Sequence, residues 1–320
     1  WLRERNIPFQ SDHAGEAYGG NGRNIVAFVK GNTKERPLGF AAHMDQIEPC
    51  RNVNPVINGN IISTDKTTTL GGDDKAGISA IMEAVEDIIE SGVPHRDIYL
   101  VFTCSEEISM MGTKHMDMSM LPCKELVVVD ATGGAETLAY KAPAMEAIEI
   151  TFKGKKAHAG IEPEKGINAI VVASKAISKM HIGRIDYETT SNIGHIEGGS
   201  ATNIVTDEVT FTAEIRSHSM EKLAAEVAHM EQCCKEAVEE MGACYEMKHE
   251  MAYPVLSLEE DCELIQDTVN AMAEERITAN KMIIGGGSDA NVLAGHGYKS
   301  VILGCGMINV HTVEEALDTD

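Results

Sequence analysis

The sequence is short of basic residues and lacks several motifs that define common functional classes. Only 27 Lys and Arg stand against 50 Asp and Glu in 320 residues, which gives a formal net charge of −23. This balance argues against nucleic acid or anionic membranes as partners, because phosphate binding requires clustered positive charge. The absence of GxGxxG and P-loop motifs leaves nucleotide binding without support. No apolar run is long enough to cross a bilayer.

The eight cysteines do not form the pattern of a disulfide framework or of a cysteine-based zinc site. None of them belongs to a CxxC motif. Cys104 and Cys305 lie in apolar, strand-like runs, and Cys233 and Cys234 are adjacent in a helical pattern. We therefore predict unpaired thiols and a cytoplasmic location.

The order of the predicted elements divides the chain into three parts. Residues 1–142 alternate strand and helix patterns, which indicates parallel strands joined by helical crossovers. Residues 143–252 follow the order βαββαβ, which is the split ferredoxin-like pattern. Residues 253–320 return to the βα pattern. We therefore predict an α/β protein in which a doubly wound sheet domain is interrupted by an inserted α+β domain.

Individual elements can be predicted from turn chemistry and periodicity. Asn58 and Gly59 lie between two apolar runs and predict a hairpin with a type I′ turn. Apolar residues at helical spacing predict helices over residues 75–90, 166–180, 220–241 and 262–274. In the inserted part, strand patterns cover residues 147–152, 192–196, 204–215 and 245–251.

Acidic residues and histidines cluster where predicted strands end or a helix begins. They are His43, Asp45, Asp73, Glu106, Glu107, Asp130 and His311. Taken singly, each has an ordinary explanation as a helix cap, an ion pair or a surface residue. In open α/β sheets, however, ligands bind outside the carboxyl ends of the strands. Converging carboxylates and imidazoles would repel one another or stay unpaired unless cations joined them.

The donor set indicates which cations these are. It contains no thiolate, which favours Zn, Mn or Co in a site of oxygen and nitrogen ligands. Three carboxylates and one hydroxide would balance two divalent cations, so we predict a two-metal site. His43 and Asp45 leave an extended segment on the same side, which suits a ligand and a carboxylate that orients it. Of the adjacent Glu106 and Glu107, one can bind metal while the other acts as a base. The sequence predicts a metal-dependent hydrolase.

Four further polar residues give weaker signals. His158 could be a solvated loop histidine, Asn203 could belong to a turn, and Arg216 could pair with a nearby acid. The loop that ends at Ser288 could be a simple connection, or its backbone donors could face a substrate.

These motifs, in this order, resemble those of the M20 metallopeptidases, most closely the peptidase T-like branch. The segments that support the resemblance are 42–45, 70–77, 105–107, Asp130, 154–160, 285–291 and His311. The resemblance implies a zinc-peptidase-like catalytic domain over 1–142 and 253–320, and a lid domain over 143–252 through which members form homodimers. Relatives continue beyond both ends of this sequence, so we expect both catalytic segments to be truncated.

The resemblance also implies roles for individual residues. His43 and Asp130 would hold one metal ion, Glu107 and His311 would hold the other, and Asp73 would bridge them. A cis peptide bond is implied after Asp73.

Further roles follow from the same resemblance. Glu106 would be the general base and Asp45 would orient His43. His158 would reach the active site of the partner subunit and stabilise the oxyanion there. Asn203, Arg216 and Ser288 would bind substrate.

We thus predict an exopeptidase that releases the N-terminal residue from short peptides, with tripeptides as the expected substrates. A carboxypeptidase, a dipeptidase or an N-acyl amino acid deacylase stays open on the same scaffold, because all of them cleave an amide. A non-catalytic, metal-stabilised dimerisation protein is the alternative from another class.

Overall fold

The computed structural model describes residues 1–320 and contains seventeen strands and six α-helices. The strands are β1 (Phe9–Ser11), β2 (Ile25–Val29), β3 (Leu38–His43), β4 (Pro55–Asn58), β5 (Ile61–Thr64), β6 (Ile98–Thr103), β7 (Glu125–Thr132), β8 (Thr137–Ala142), β9 (Ala144–Lys153), β10 (Gly183–Arg184), β11 (Thr189–Gly198), β12 (Glu208–Ser217), β13 (Cys244–Tyr253), β14 (Leu256–Ser257), β15 (Asn280–Ile283), β16 (Lys299–Ile308) and β17 (Ala316–Asp318). The helices are α1 (Gly72–Ser91), α2 (Met111–Lys114), α3 (Ala169–Ile177), α4 (Met220–Met241), α5 (Glu263–Glu274) and α6 (Asp289–Gly295).

The chain forms two compact units. One unit comprises Trp1–Ala142 together with Leu256–Asp320, and the other comprises Pro143–Val255. We call them the sheet unit and the inserted unit.

The sheet unit is built on a 12-stranded sheet with the main order β1-β2-β6-β3-β7-β16-β17-β5-β4. Its central strands β6, β3, β7 and β16 are parallel. Antiparallel strands lie towards both edges, with β1 and β2 on one side and the β4–β5 hairpin on the other. The predicted parallel core is therefore confirmed, within a mixed sheet.

Apolar layers cover both faces of this sheet. Ala42 and Leu100 pack in one layer with α1 and α5, which contribute Ile81, Val85, Leu264 and Ile265. Their chain neighbours Ala41 and Val101 pack in another layer, with Ala290 and Leu293 of α6. Successive side chains of a strand point to opposite faces, so helices cover both sides. This arrangement confirms the doubly wound fold.

The parallel strands bring polar residues to one edge of the sheet. β3 ends at His43, which lies beside Thr103 at the end of β6. β7 is the other neighbour of β3 and carries Asp130. Because parallel strands end on the same side, residues that are far apart in sequence meet there.

The inserted unit has a five-stranded sheet with the order β10-β11-β12-β9-β13, and all of its pairs are antiparallel. α3 and α4 contribute side chains to the same core as β9 and β12, including Ala173, Ala176, Met230 and Cys234. Apart from the two-residue strand β10, the order β9, α3, β11, β12, α4, β13 confirms the ferredoxin-like pattern.

Several predicted boundaries hold and others shift. The hairpin is confirmed, with Asn58 paired to Ile61 and Gly59 at a φ of +62°. α4 has the predicted bounds. It ends where predicted because Gly242, at a φ of +67°, adopts the left-handed conformation.

Two predicted starts in the inserted unit were too early. α3 begins at Ala169, because the side chain of Asn168 accepts hydrogen bonds from the first turn. β12 begins at Glu208, since Ile204 forms only an isolated bridge with His158.

None of the helices combines the length and the apolar character needed to cross a membrane. All eight cysteines are free thiols.

Candidate metal centre

His43, Asp73 and Asp130 come from three different elements and meet at the edge of the sheet. His43 is the last residue of β3 and is only 2% exposed. Its Nε2 lies 2.8 Å from Asp73 Oδ1, in the first turn of α1, and 3.8 Å from Asp130 Oδ1. Asp130 does not end its strand as predicted, because β7 continues to Thr132.

His311 and Glu107 complete the cluster on the other side of Asp73. His311 follows β16 in a turn and has a φ of +65°. Its Nε2 lies 2.9 Å from Glu107 Oε2 and 3.2 Å from Asp73 Oδ2. The two carboxylate oxygens of Asp73 thus face different histidines. The peptide bond between Asp73 and Asp74 is cis, as the resemblance implied.

Asp45 connects His43 to the two glutamates. Its Oδ1 lies 3.5 Å from His43 Nδ1. The backbone N–H groups of Glu106 and Glu107 donate to Asp45 Oδ1 and Oδ2 over 3.0 and 3.1 Å. Burial opposes ionisation of Asp45, but His43 and the backbone donors outweigh it and lower the pKa of this carboxyl.

The other acids repel one another. Burial, and then the charge of a neighbouring carboxylate, raise the pKa values of Glu106 and Asp130 well above the ordinary range. The pKa of Glu107 is raised by burial and by Asp73. Burial works against protonation of His43, yet Asp45 and Asp73 outweigh it and raise the pKa of this imidazole. With all of its carboxylates ionised, the cluster would therefore hold more negative charge than its own histidines can neutralise.

Divalent cations fit this donor set. Glu107 Oε1 is buried and has no hydrogen-bond partner. One potential ligand atom from each of His43, Asp73 and Glu107 lies within 4.8 Å of the others, and His43, Asp74 and Asp130 form a second such group. Imidazole nitrogen and carboxylate oxygen suit Zn, Mn or Co.

Asp74 belongs to this region although we predicted no role for it. It is fully buried, and its Oδ2 accepts a hydrogen bond of 3.2 Å from the backbone N–H of His43. Its Oδ1 accepts one of 3.1 Å from Gly77. Asp74 thus ties the end of β3 to the start of α1.

Glu315 was also missed, because in the sequence nothing distinguishes it from the neighbouring Glu314. It is 2% exposed and accepts three backbone hydrogen bonds. The donors are Leu70 and Gly71 to Oε2, over 2.7 and 2.9 Å, and Asp73 to Oε1, over 2.9 Å. The segment that carries His311 therefore also fixes the loop that carries Asp73.

Asp289 is the third residue that we missed, and its only signal was its position after a Gly-rich loop. It is 3% exposed and accepts hydrogen bonds from Thr103 Oγ1 over 2.5 Å and from Thr113 Oγ1 over 2.6 Å. Burial raises the pKa of this carboxyl.

A cavity of about 480 Å³ opens onto the cluster, with Asp73, Glu106, Asp130 and His311 in its wall. Residues 282–288 also line this cavity. Ser288 is one of these residues, and its hydroxyl caps α6 by accepting a hydrogen bond of 3.2 Å from Ala290 N–H. The volume is in the range of sites for small organic ligands.

The remaining predicted residues lie in the inserted unit. His158 is exposed, and its Nδ1 accepts a hydrogen bond of 3.2 Å from Gly160 N–H. The carbonyl of Asn203 accepts one of 2.9 Å from Ala159 N–H, so these two loops are adjacent. Arg216 pairs with both carboxylate oxygens of Glu214, over 2.9 and 3.0 Å. The roles of these residues stay predictions.

Comparisons with known families match both units. Residues 145–242 match the family model described as a peptidase dimerisation domain. Residues 53–161 match the model described as M42 glutamyl aminopeptidase.

Relatives with known sequences match along most of the chain. YqjE of Bacillus subtilis, which is uncharacterised, is 39% identical over 97% of this chain and 84% of its own length. Peptidase T of Haemophilus influenzae is 25% identical over 91% of this chain and 79% of its own length.

Solved structures agree with these matches. Aminopeptidase PepT from Bacillus cereus superimposes with a TM-score of 0.92 at 34% identity, over 99% of this chain and 86% of that one. A tripeptidase from Staphylococcus aureus gives a TM-score of 0.95, also at 34% identity, over 99% and 85% of the two chains.

Proposed function

Because this chain belongs to the M20 metallopeptidases and is peptidase T-like, we propose that it uses two metal ions to release the N-terminal residue of tripeptides. The similarity to its relatives supports metal-dependent exopeptidase activity. The number of metal ions, the length of the peptide and the residue roles are the proposal.

The position of Asp73 is the observation that supports two metal ions. One of its oxygens lies 2.8 Å from His43 and the other 3.2 Å from His311. A carboxylate shared by two histidines in this way is suited to bridge two cations. We assign His43 and Asp130 to one ion and Glu107 and His311 to the other. Such ions polarise a carbonyl group and lower the pKa of water.

Glu106 is the proposed general base. It lies in the wall of the cavity with Asp73 and Asp130, and Asp45 fixes its backbone. Its carboxylate would take a proton from the attacking water and later return it to the leaving amine. Asp45 would keep the ring of His43 in place, since the same carboxylate faces His43 and both glutamates.

The inserted unit is the proposed dimerisation lid. Its match to the peptidase dimerisation domain supports a homodimer. In such a dimer, His158 of the partner subunit would donate a hydrogen bond to the oxyanion. Asn203, Arg216 and Ser288 are the proposed substrate-binding residues. The eight free thiols suit a reducing, cytoplasmic location.

The choice of an aminopeptidase over its alternatives rests on resemblance. The two solved relatives at 34% identity are named as an aminopeptidase and a tripeptidase. The metal cluster does not discriminate, because carboxypeptidases and deacylases also cleave an amide bond.

A small substrate panel tests this choice. We expect zinc-loaded protein to cleave Ala-Ala-Ala and to lose this activity with a chelator. N-acetyl-Ala-Ala-Ala should be inert, because the blocked amine cannot occupy an aminopeptidase site. Cleavage of the acetylated peptide at a comparable rate would instead identify a carboxypeptidase or a deacylase. Absence of chelator-sensitive hydrolysis of any peptide would contradict the proposal as a whole.

A further inference from the structure

A second group of metal-binding side chains lies in the inserted unit, outside the candidate centre. Glu226 and His229 are three residues apart in α4 and therefore share a face of this helix. His181 lies between α3 and β10. One potential ligand atom from each of the three residues lies within 4.8 Å of the others. We call His181, Glu226 and His229 the α4 cluster.

The two histidines are held side by side. Their rings are stacked, with centroids 4.0 Å apart and planes 15° apart, so the exposed ring of His181 must turn before both rings can direct a nitrogen at one ion. His229 Nε2 lies 3.2 Å from the carbonyl oxygen of Lys179. A carbonyl can only accept, so Nε2 carries the hydrogen and Nδ1 keeps a free lone pair. Histidines that bind metals are commonly oriented by such a bond to a backbone carbonyl.

Glu226 is the residue that an ordinary ion pair does not explain. It is only 7% exposed, and its Oε2 lies 3.1 Å from His181 Nδ1. Its Oε1 is buried and has no hydrogen-bond partner. A buried carboxylate oxygen without a partner is costly. A cation bound by the Glu226 carboxylate and by the two imidazoles would offset part of the cost of burying this group.

We propose that the α4 cluster binds one divalent cation of the zinc type. Two imidazoles and one carboxylate are donors that zinc prefers, and three protein ligands leave a fourth position for water. The side chain of His181 is 56% exposed, so an ion and its water can enter from solvent. Cys233 Sγ lies 3.6 Å from His229 Nε2. Because this nitrogen already donates to the carbonyl of Lys179, we leave Cys233 out of the ligand set.

The expected effect of the ion is structural. The ion joins the segment after α3 to α4. His181 and Glu226, which it would connect, are 45 positions apart in the sequence. A cation that binds only the folded state stabilises that state by mass action. The site does not depend on the proposed peptidase mechanism.

Zinc content of the full-length chain tests the proposal. Protein stripped with a chelator is reloaded with zinc, freed of excess metal and analysed by inductively coupled plasma mass spectrometry. We expect His181→Gln and His229→Gln to bind about one zinc ion fewer per chain than wild type, because each removes one of three ligands. His195→Gln, an exposed histidine of β11 in the same unit, is the matched control and should bind as much as wild type.

The same comparison in an Asp73→Asn background separates this site from the candidate centre. In that background His181→Gln should still lower the zinc content by about one ion per chain. It should also abolish the rise in thermal midpoint that zinc gives the Asp73→Asn protein. Equal zinc content in wild type and both histidine variants would overturn the proposal. An equal loss in His195→Gln would do the same. His181 is exposed, so its replacement leaves the core intact.

Discussion

Glu315→Gln tests whether the segment after β16 holds the loop that carries Asp73 in place. The carboxylate of Glu315 accepts backbone hydrogen bonds from Leu70, Gly71 and Asp73 and is almost completely buried. Glutamine has nearly the same shape but offers only one oxygen, and its NH₂ group can only donate. Whichever way the amide turns, at least one of the three N–H groups loses its acceptor and faces another donor.

The magnitude follows from that count. A buried donor left without a partner costs about 1–3 kcal/mol. If the amide keeps its oxygen towards Leu70 and Gly71, the orphaned donor is the N–H of Asp73 itself. The residue proposed to bridge two cations would then lose its support, and we expect metal affinity to fall by about 10- to 100-fold, as for other groups that orient ligands.

Urea denaturation of chelator-treated protein measures the first effect without the contribution of bound metal. Trp1 is the only tryptophan of the chain and packs on the same apolar layer as α1, so its fluorescence reports on the sheet unit. Glu314→Gln, at the exposed neighbouring position, is the matched control and should change stability by no more than about 0.5 kcal/mol. An identical denaturation midpoint for Glu315→Gln and wild type would refute the reasoning.

Two further predictions concern the chemistry of the centre. Glu106→Gln should lower kcat for a tripeptide by about 10²- to 10⁴-fold and leave the zinc content unchanged, because it removes the proton acceptor and not a ligand; a variant that retains wild-type turnover would contradict this role. The metal-free protein should lose stability as pH rises above the ordinary carboxyl pKa of about 4, because folding raises the pKa values of Glu106 and Asp130, which therefore bind protons more tightly when folded. His43, whose pKa is also raised, should add to this loss above the ordinary histidine pKa of about 6.5. Thermal unfolding at several pH values, with chelator and with zinc, checks this sign, and metal-free protein that becomes more stable from pH 5 to pH 8 would contradict it.

The sequence was most informative where a local pattern has one physical solution. Asn58-Gly59 suits a tight hairpin turn and forms one, and the apolar period of α4 ends at Gly242 as expected. Continuous apolar runs with polar residues at their ends indicated buried parallel strands and a site at their carboxyl edge. His43, Asp73, Glu107, Asp130 and His311 were all candidates on that basis, and the structure brings them together.

A side-chain cap and a strand pairing each moved a boundary that periodicity could not locate. Asn168 accepts from Ile170 N–H and delays the start of α3, although the apolar pattern begins earlier. Asp130 follows an apolar run that reads as a finished strand, but pairing with β16 carries β7 on to Thr132.

The sequence by itself determined the alternation of strands and helices, the presence of an inserted unit and the residue types of the candidate ligands, because these follow from local periodicity and residue chemistry. Only the tertiary structure decided that Asp74, Glu315 and Asp289 support the site, and that His181 meets Glu226 and His229. Each of these residues acts through a partner far away in the sequence. A carboxylate that binds three backbone N–H groups looks, in the sequence, the same as its solvated neighbour, and only burial and contact tell them apart.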